Sequence, residues 1–212
     1  MKYYVRTTLE RELDRTYNQI DYSLIIDKEH RPIDSFINAL YLINDDDSIL
    51  LEDDLILCKD FESRIKEAIQ KYSNRIINFF QSPFIYKEIE ESEKIVSNQC
   101  TFYPKGIASK IANEMENTPR IEEFPRCNQY SVIENEALKK LGLKVIQYRP
   151  HLVQHLDENS FLFPEVYGLR RSYFFIDYLD ELGIDYSQAY EQRHALARCM
   201  SKHFIDRDKK IK

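Results

Sequence analysis

Short apolar runs alternate with amphipathic helical patterns through residues 1–81, and this alternation limits the fold more than any other feature of the chain. Strand-like runs are "KYYVRTT" at 2–8, "YSLIID" at 22–27, "ILLEDDL" at 49–55 and "RIINFFQ" at 75–81. Helical patterns lie between them: "ERELDRTYNQI" at 10–20, a stretch opened by Pro32, and "DFESRIKEAIQKYS" at 60–73. Strands and helices that alternate over short links predict an α/β, Rossmann-like fold, with a mixed, mostly parallel sheet flanked by helices.

The second half of the chain continues this pattern less regularly. "QCTFYP" at 99–104 predicts a strand, "GIASKIANEME" a helix, and residues 131–150 a helix followed by a strand. Ser131, with Glu134 three residues later, predicts a capping box at the start of that helix, and Gly142 predicts its end. We expect one α/β domain over residues 1–164 and a helical, aromatic C-terminal segment over 165–212 packed on it. The charged end "DRDKKIK" is typical of either a natural terminus or the start of a linker to a further domain.

Charge and residue usage exclude several classes of protein. The net charge is −6 and no segment concentrates Lys and Arg, so we expect no nucleic acid partner. The 4 glycines form no Gly-rich phosphate loop, and the 4 cysteines form no CxxC pair. No run reaches the roughly 20 apolar residues of a membrane helix, and the N-terminus lacks the apolar centre of a signal peptide. We therefore expect a cytoplasmic protein without a transmembrane segment.

Three carboxylates follow directly on the apolar "ILL" of the third strand: Glu52, Asp53 and Asp54. If the strand continues through them, Glu52 and Asp54 point to one side and Asp53 to the other. Ligands of open α/β sheets bind beyond the carboxyl ends of the strands. Like charges at the edge of a core are costly, and Mg²⁺ or Mn²⁺ bound to their oxygens would offset that cost. The acids thus predict a metal site, with surface ion pairs as the alternative; the nearby "NDDDS" at 44–48 is typical of a solvated turn.

Two stretches resemble a known family. "LLEDDLILCKDF" at 50–61 resembles the acidic motif of GT-A fold glycosyltransferases, in the E-D-D form found in N-acetylglucosaminyltransferases I and IV. "RPHLVQHLDENSFL" at 149–162 is similar to the P-S-L-V/F-Q-H-x-G-x-x-S-S stretch of N-acetylglucosaminyltransferase IV and some lipopolysaccharide transferases. His151 stands where that pattern has Ser, and Asp157 where it has Gly.

The resemblance implies a GT-A-like catalytic domain that uses Mn²⁺ or Mg²⁺ and a nucleotide-diphosphate sugar, with a UDP-sugar expected. It assigns Asp54 and His155 to the metal, since neutral imidazole joins carboxylate readily as a Mn²⁺ ligand. Glu52 and Asp53 would contact the donor. The ends of the first two strands add Thr7, Thr8, Arg11 and Asp27 as further donor contacts, although Thr8 also fits a helix cap and Asp27 a turn.

The implied activity is transfer of a sugar to a carbohydrate acceptor by a hexosyltransferase-type enzyme. Such a reaction needs a general base if it inverts the anomeric centre, and Glu134 and Glu122 lie in the expected region. No Asp stands near position 131, so a retaining reaction stays open. Two other functions fit the residues: a metal-dependent phosphohydrolase or nucleotidyltransferase, and a non-catalytic nucleotide-sugar binding module.

Overall fold

The computed structural model describes residues 1–80, 91–95, 97–119, 126–156, 172 and 174–185, with the backbone alone for 126–129. The strands in this part of the chain are β1 Lys2–Thr7, β2 Tyr22–Ile26, β3 Ser48–Glu52, β4 Leu55–Leu57, β5 Ile76–Asn78, β6 Glu91–Ser92, β7 Cys100–Tyr103, β8 Val145–Gln147 and β9 Val153–His155. The helices are α1 Pro32–Leu42, α2 Phe61–Lys71, α3 Ala108–Glu116, α4 Arg126–Lys140 and α5 Ile176–Glu181, with a 3₁₀ helix at Arg15–Gln19.

The described strands form a large sheet in the order β2-β1-β3-β7-β5-β8-β6, and β4 pairs with β9 in a separate antiparallel ribbon. β1 is parallel to β2 and β3, and β8 is parallel to β5. β7 is antiparallel to both β3 and β5, and β6 is antiparallel to β8. Consequently β2, β1, β3, β5 and β8 point the same way, which confirms the predicted mixed, mostly parallel sheet.

Helices cover both faces of this sheet, as predicted. The apolar residues of α1, α3 and α4 pack in one hydrophobic cluster with Leu50, while those of α2 and α5 pack in another with Ile49 and Leu51. Because successive side chains of a strand point to opposite faces, β3 is buried on both sides and reads as a continuous apolar run. No helix in the described ranges is long and apolar enough to span a membrane.

Local signals explain several element ends. Pro32 occupies the first turn of α1, where its missing N–H costs nothing. Gly142 has φ +62°, a left-handed conformation that ends α4 and lets the Leu143 N–H donate to the Leu138 carbonyl. The acidic stretch after α1 is the predicted turn, and there the Asp47 carboxylate accepts a hydrogen bond from the Lys105 N–H.

The helix predicted over residues 10–20 is wrong. The structure has no regular element between Thr7 and Arg15, where Leu9 takes φ +65°, and it then forms the short 3₁₀ helix. The Asp14 carboxylate accepts a hydrogen bond from the Thr16 N–H and so starts that helix locally. The charged residues at positions 10–14 therefore lie in an irregular segment that follows β1 at the carboxyl edge of the sheet.

The predicted capping box is also wrong. α4 begins at Arg126, so Ser131 lies inside the helix, and the Glu134 carboxylate contacts the core instead of an N-terminal N–H group. The C-terminal segment predicted over 165–212 contains α5, whose Tyr178 and Leu179 pack on the core cluster of α2. The charged end "DRDKKIK" lies outside the described residues.

Candidate functional site at the carboxyl edge of the sheet

A cleft opens where the parallel strands β1, β2 and β3 end. Its lining comprises Arg6, Thr7, Thr8, Glu10, Arg11, Asp27, His30, Pro32, Glu52, Asp53, Asp54, Gln99 and Tyr130. Every residue of the first half that was predicted to contact a donor or a metal belongs to this set. The cleft volume is about 170 Å³, less than the roughly 300–1,000 Å³ of sites that enclose drug-sized ligands.

The three acids reach this cleft together because β3 stops at Glu52. Asp53 and Asp54 form a bend, and the chain then continues as β4, which pairs with β9 instead of extending the large sheet. The Leu156 N–H donates to the Asp54 carbonyl at 2.7 Å and fixes the bend to the end of β9. The predicted alternation of the acids between two sides of a strand is therefore wrong, since strand geometry ends before Asp53.

Asp54 and His155 meet at this bend. The His155 ring Nδ1 lies 2.6 Å from the Leu156 carbonyl oxygen, which only accepts hydrogen bonds, so Nδ1 carries a proton. The opposite nitrogen, Nε2, lies 3.0 Å from Asp54 Oδ2. In a neutral ring, the Nε2 lone pair faces a carboxylate oxygen. The contact becomes attractive when a proton on Nε2, or a cation that binds both atoms, lies between them.

The donor atoms fit a divalent ion. Two ligands at right angles, each roughly 2.1 Å from an octahedral ion, lie about 3.0 Å apart, the separation found between Asp54 Oδ2 and His155 Nε2 at 3.0 Å. Carboxylate and imidazole together suit Mn²⁺. Among the described residues, no three His, Cys, Asp or Glu side chains are grouped as a ready metal site. Asp54 and His155 are the residues that could hold an ion here, and such an ion would take its other ligands from water or a substrate.

Arg11 places positive charge between the two aspartates. Its Nη1 lies 3.1 Å from Asp54 Oδ2 and 3.8 Å from Asp53 Oδ1. The Thr7 hydroxyl donates to Asp53 Oδ2 at 2.7 Å and accepts from the Leu9 N–H. Burial raises the pKa of Asp53, and the Thr7 hydrogen bond opposes that rise. Thr7 and Arg11 together hold the Asp53 carboxylate at the cleft wall.

Glu52 forms a separate ion pair with Arg6 in the floor of the cleft. Arg6 Nη2 and Nε donate to Glu52 Oε1 at 2.6 and 3.1 Å, and Nη1 donates to the Pro32 carbonyl. The guanidinium lies over the rings of Phe36 and Tyr130, with its central carbon 5.4 and 5.1 Å from their centroids. Burial raises the pKa of Glu52 and Arg6 counteracts it. Arg6 was missed at the sequence level because an Arg inside "KYYVRTT" resembles an ordinary solvent-facing strand residue.

The remaining predicted residues have simpler surroundings. Asp27 follows β2, and its Oδ1 accepts a hydrogen bond from the Arg31 N–H at 3.1 Å, so the expected turn role is present beside the cleft. Thr8 lines the cleft next to Thr7. Tyr130 also lines it, from a helix whose start the sequence misplaced, and no sequence signal identified it.

Glu134 lies in the core and has no exposed surface. Its two oxygens accept hydrogen bonds from Asn98 Nδ2 at 2.6 Å and the Tyr103 hydroxyl at 2.8 Å, and the Thr101 hydroxyl donates to Asn98. Burial raises the pKa of Glu134 to about 8. An acceptor hydroxyl does not reach this carboxyl in the observed conformation, and Glu122, the other predicted base, lies outside the described residues.

The "LVQH" stretch anchors its surroundings through Gln154. The Gln154 Oε1 accepts from the Ser172 N–H at 2.7 Å and from the His155 N–H at 3.1 Å, while Nε2 donates to the Ser172 carbonyl at 2.9 Å. His151 Nδ1 contacts the Ser172 hydroxyl, and burial lowers the pKa of His151 to about 3. His151 and Gln154 therefore have a structural role, since both bind Ser172, while His155 contacts Asp54.

Comparison with known proteins leaves the family open. No family model matches the chain. The chain is 30% identical to meiotic nuclear division protein 1 of Saccharomyces cerevisiae over 77 residues. The matched stretch covers 35% of this chain and 35% of the yeast protein, so the match spans about a third of that relative. Two solved structures are similar at low TM-scores. The structure of A197 from STIV has a TM-score of 0.44 at 11% identity, over 74% of this chain and 87% of that one. A glucose-1-phosphate thymidylyltransferase from Bacillus anthracis, solved in complex with sucrose, has a TM-score of 0.42 at 13% identity, over 72% of this chain and 69% of that one.

Proposed function

We propose that this protein is a metal-dependent glycosyltransferase that moves a sugar from a nucleotide-diphosphate sugar, with a UDP-sugar as the first candidate, to a carbohydrate acceptor. The observation that carries the proposal is the contact between Asp54 Oδ2 and His155 Nε2, 3.0 Å apart at the carboxyl edge of three parallel strands. The two residues come from the two stretches that resemble GT-A enzymes. Their meeting at one point supports a common role.

The cleft residues, together with His155, which contacts Asp54 but is not among the residues that line the cleft, divide into two chemical tasks. Asp54 and His155 would hold Mn²⁺ or Mg²⁺, which supplies stabilisation of negative charge on the departing diphosphate. Arg11 adds a second positive group that is suited to a phosphate oxygen. Thr7, Thr8, Asp27, Glu52 and Asp53 offer hydroxyl and carboxylate groups for the nucleoside and sugar hydroxyls. In the transfer, the bond between the anomeric carbon and the diphosphate breaks, a bond to the acceptor oxygen forms, and the proton of the acceptor hydroxyl is taken up by the departing diphosphate or by water.

A nucleotidyltransferase is the alternative that shares most of these features. Enzymes that hold two metals use several carboxylates around one point. Here Glu52 is paired with Arg6, and Asp54 contacts both His155 and Arg11. Both activities would bind a nucleotide through an ion at Asp54, so the products of turnover separate the two functions.

A thermal-shift panel of UDP-, GDP-, TDP- and CMP-sugars, with and without Mn²⁺, tests the proposal. We expect one nucleotide class to raise the melting temperature only when Mn²⁺ is present, and its slow turnover to release the nucleoside diphosphate. Release of pyrophosphate from a nucleoside triphosphate and a sugar phosphate would instead identify a nucleotidyltransferase. Metal-dependent binding with no turnover in the presence of any acceptor would identify a binding module.

A further inference from the structure

Arg11 contacts the same carboxylate oxygen of Asp54 that the proposed metal would use. One oxygen, Asp54 Oδ2, lies 3.1 Å from Arg11 Nη1 and 3.0 Å from His155 Nε2. An ion bound to this oxygen and to His155 at about 2.1 Å would lie close to the guanidinium. The three side chains are 12, 18 and 6% exposed for Arg11, Asp54 and His155, so little solvent screens the repulsion between two such cations.

We infer that Arg11 acts as an internal cation that keeps the metal site closed until a diphosphate arrives. In this inference, which rests on the proposed function, Arg11 neutralises Asp53 and Asp54 in the ligand-free protein. The donor diphosphate offers Arg11 a different anion and at the same time supplies oxygen ligands to the metal. Metal and nucleotide therefore bind as a pair, and each raises the affinity of the site for the other.

The segment that carries Arg11 is suited to such a displacement. It lies between β1 and the 3₁₀ helix, where the structure has no regular hydrogen-bonded element. It enters with Leu9 at φ +65°, a conformation that costs a non-glycine residue free energy, and Leu9 is 58% exposed. Leu13 packs on the core cluster of α2, so a shift of Arg11 would be confined to the residues before Leu13.

The size of the cleft agrees with this inference. Its volume of about 170 Å³ is below the roughly 300–1,000 Å³ of sites that enclose drug-sized ligands. Arg11 is part of the lining, along with Glu10 and His30, whose carboxylate Oε1 and ring Nε2 lie 3.4 Å apart. Movement of Arg11 toward the solvent side would enlarge the cleft next to Asp53 and Asp54.

Mn²⁺ titrations of the full chain, followed by electron paramagnetic resonance of the free ion, test the inference with and without UDP. We expect wild-type protein to bind Mn²⁺ weakly alone and about 5- to 150-fold more tightly with UDP, the usual range of coupling between two ligands. Arg11→Met should bind Mn²⁺ alone at least about fivefold more tightly than wild type and lose most of the enhancement by UDP. Arg15→Met removes the same charge from an exposed residue nearby and should behave as wild type.

The outcomes separate this inference from the proposed function. If Arg11→Met binds Mn²⁺ alone no better than Arg15→Met, Arg11 does not compete with the metal and the inference fails, whatever nucleotides do. If Arg11→Met gains Mn²⁺ affinity but no variant binds a nucleotide at saturating Mn²⁺, the competition stands while the transferase proposal and the role of the diphosphate fail. The double variant Arg11→Met/Asp54→Asn should lose the gained affinity; retention of it would place the ion elsewhere and overturn the inference.

Discussion

The protein buries carboxylates in two regions and satisfies them in different ways. In the cleft, Glu52, Asp53 and Asp54 are met by the charged groups of Arg6 and Arg11 and by His155. On α4, the buried Glu134 accepts hydrogen bonds only from neutral groups among its described contacts, the Asn98 amide and the Tyr103 hydroxyl.

The difference separates a binding site from a structural network. Charged partners counteract the rise in pKa that burial causes at Glu52 and Asp53, and they leave Asp53 and Asp54 beside a guanidinium that another cation could replace. Neutral partners keep Glu134 hydrogen-bonded in the core and, with burial, favour its protonated form, since its pKa is raised to about 8. The carboxylates whose cation partner could be exchanged lie at the open edge of the sheet, whereas the carboxyl group with fixed hydrogen bonds lies in the core.

The largest expected effect is on stability at the floor of the cleft. Arg6→Leu leaves Glu52 with a buried charge and removes the contacts of the guanidinium with Phe36 and Tyr130. Removing one partner of such a pair costs roughly 3–5 kcal/mol. Urea denaturation should show this loss, and Arg6→Leu/Glu52→Leu should recover a large part of it. A double variant as unstable as the sum of the single variants would mean that the pair is not coupled.

Asp54→Asn should remove metal-dependent binding while leaving the fold intact. The amide keeps the size of the carboxylate but loses the charge that attracts the ion, so we expect roughly a hundredfold weaker Mn²⁺-dependent donor binding, the lower range for loss of a charged group. Asp46→Asn is the matched control at the opposite end of β3, where Asp46 pairs with the exposed Lys2. Isothermal titration calorimetry measures both, and equal affinities in the two variants would contradict the assignment of Asp54.

Glu134 should make stability depend on pH in the opposite sense from an ordinary surface acid. Its folded-state pKa is about 8, above the unfolded value of 4.5, so the unfolded chain releases the proton first as pH rises. The contribution of Glu134 is complete below about pH 4.5 and is lost as pH approaches 8, by about 1.4 kcal/mol per pH unit. Glu134→Gln should lack this part of the slope in urea denaturation between pH 5 and 8. An unchanged slope would mean that Glu134 is ionised in the fold.

Tyr103→Phe should have the smallest effect, about 1–2 kcal/mol of lost stability, because it removes one neutral hydrogen bond to Glu134. Tyr3→Phe is its control, since the buried Tyr3 hydroxyl has no hydrogen-bond partner among the described groups and its removal should cost little. Thermal denaturation distinguishes the two. Equal losses would show that the hydroxyl of Tyr103 does not support Glu134.

The sequence predicted the sheet better than the segments around it. β1, β2, β3 and α1 lie where apolar spacing placed them, because their side chains are buried on fixed faces. The helix predicted over 10–20 and the capping box at Ser131 failed for one reason. Helix-forming charges and cap residues are local preferences of a few tenths of a kcal/mol to about 1 kcal/mol, and tertiary contacts override them.

The candidate site was predictable in its residues but not in its pairing. Thr7, Thr8, Arg11, Asp27 and the three acids line one cleft because parallel strands end at the same edge. The pairing of Arg6 with Glu52 depends on the register of β1 against β3, which places these residues opposite each other. No local pattern in "KYYVRTT" contains that information.

By itself, the sequence determined that Glu52, Asp53 and Asp54 would lie at an edge of an α/β sheet, because the apolar "ILL" that precedes them is buried as a strand. Only the tertiary structure decided which cations meet them. The β4–β9 ribbon brings His155 to Asp54, and the irregular segment after β1 brings Arg11 to the same oxygen. Charge pairs form between groups that are distant in sequence, and their geometry exists only once the strands are in register.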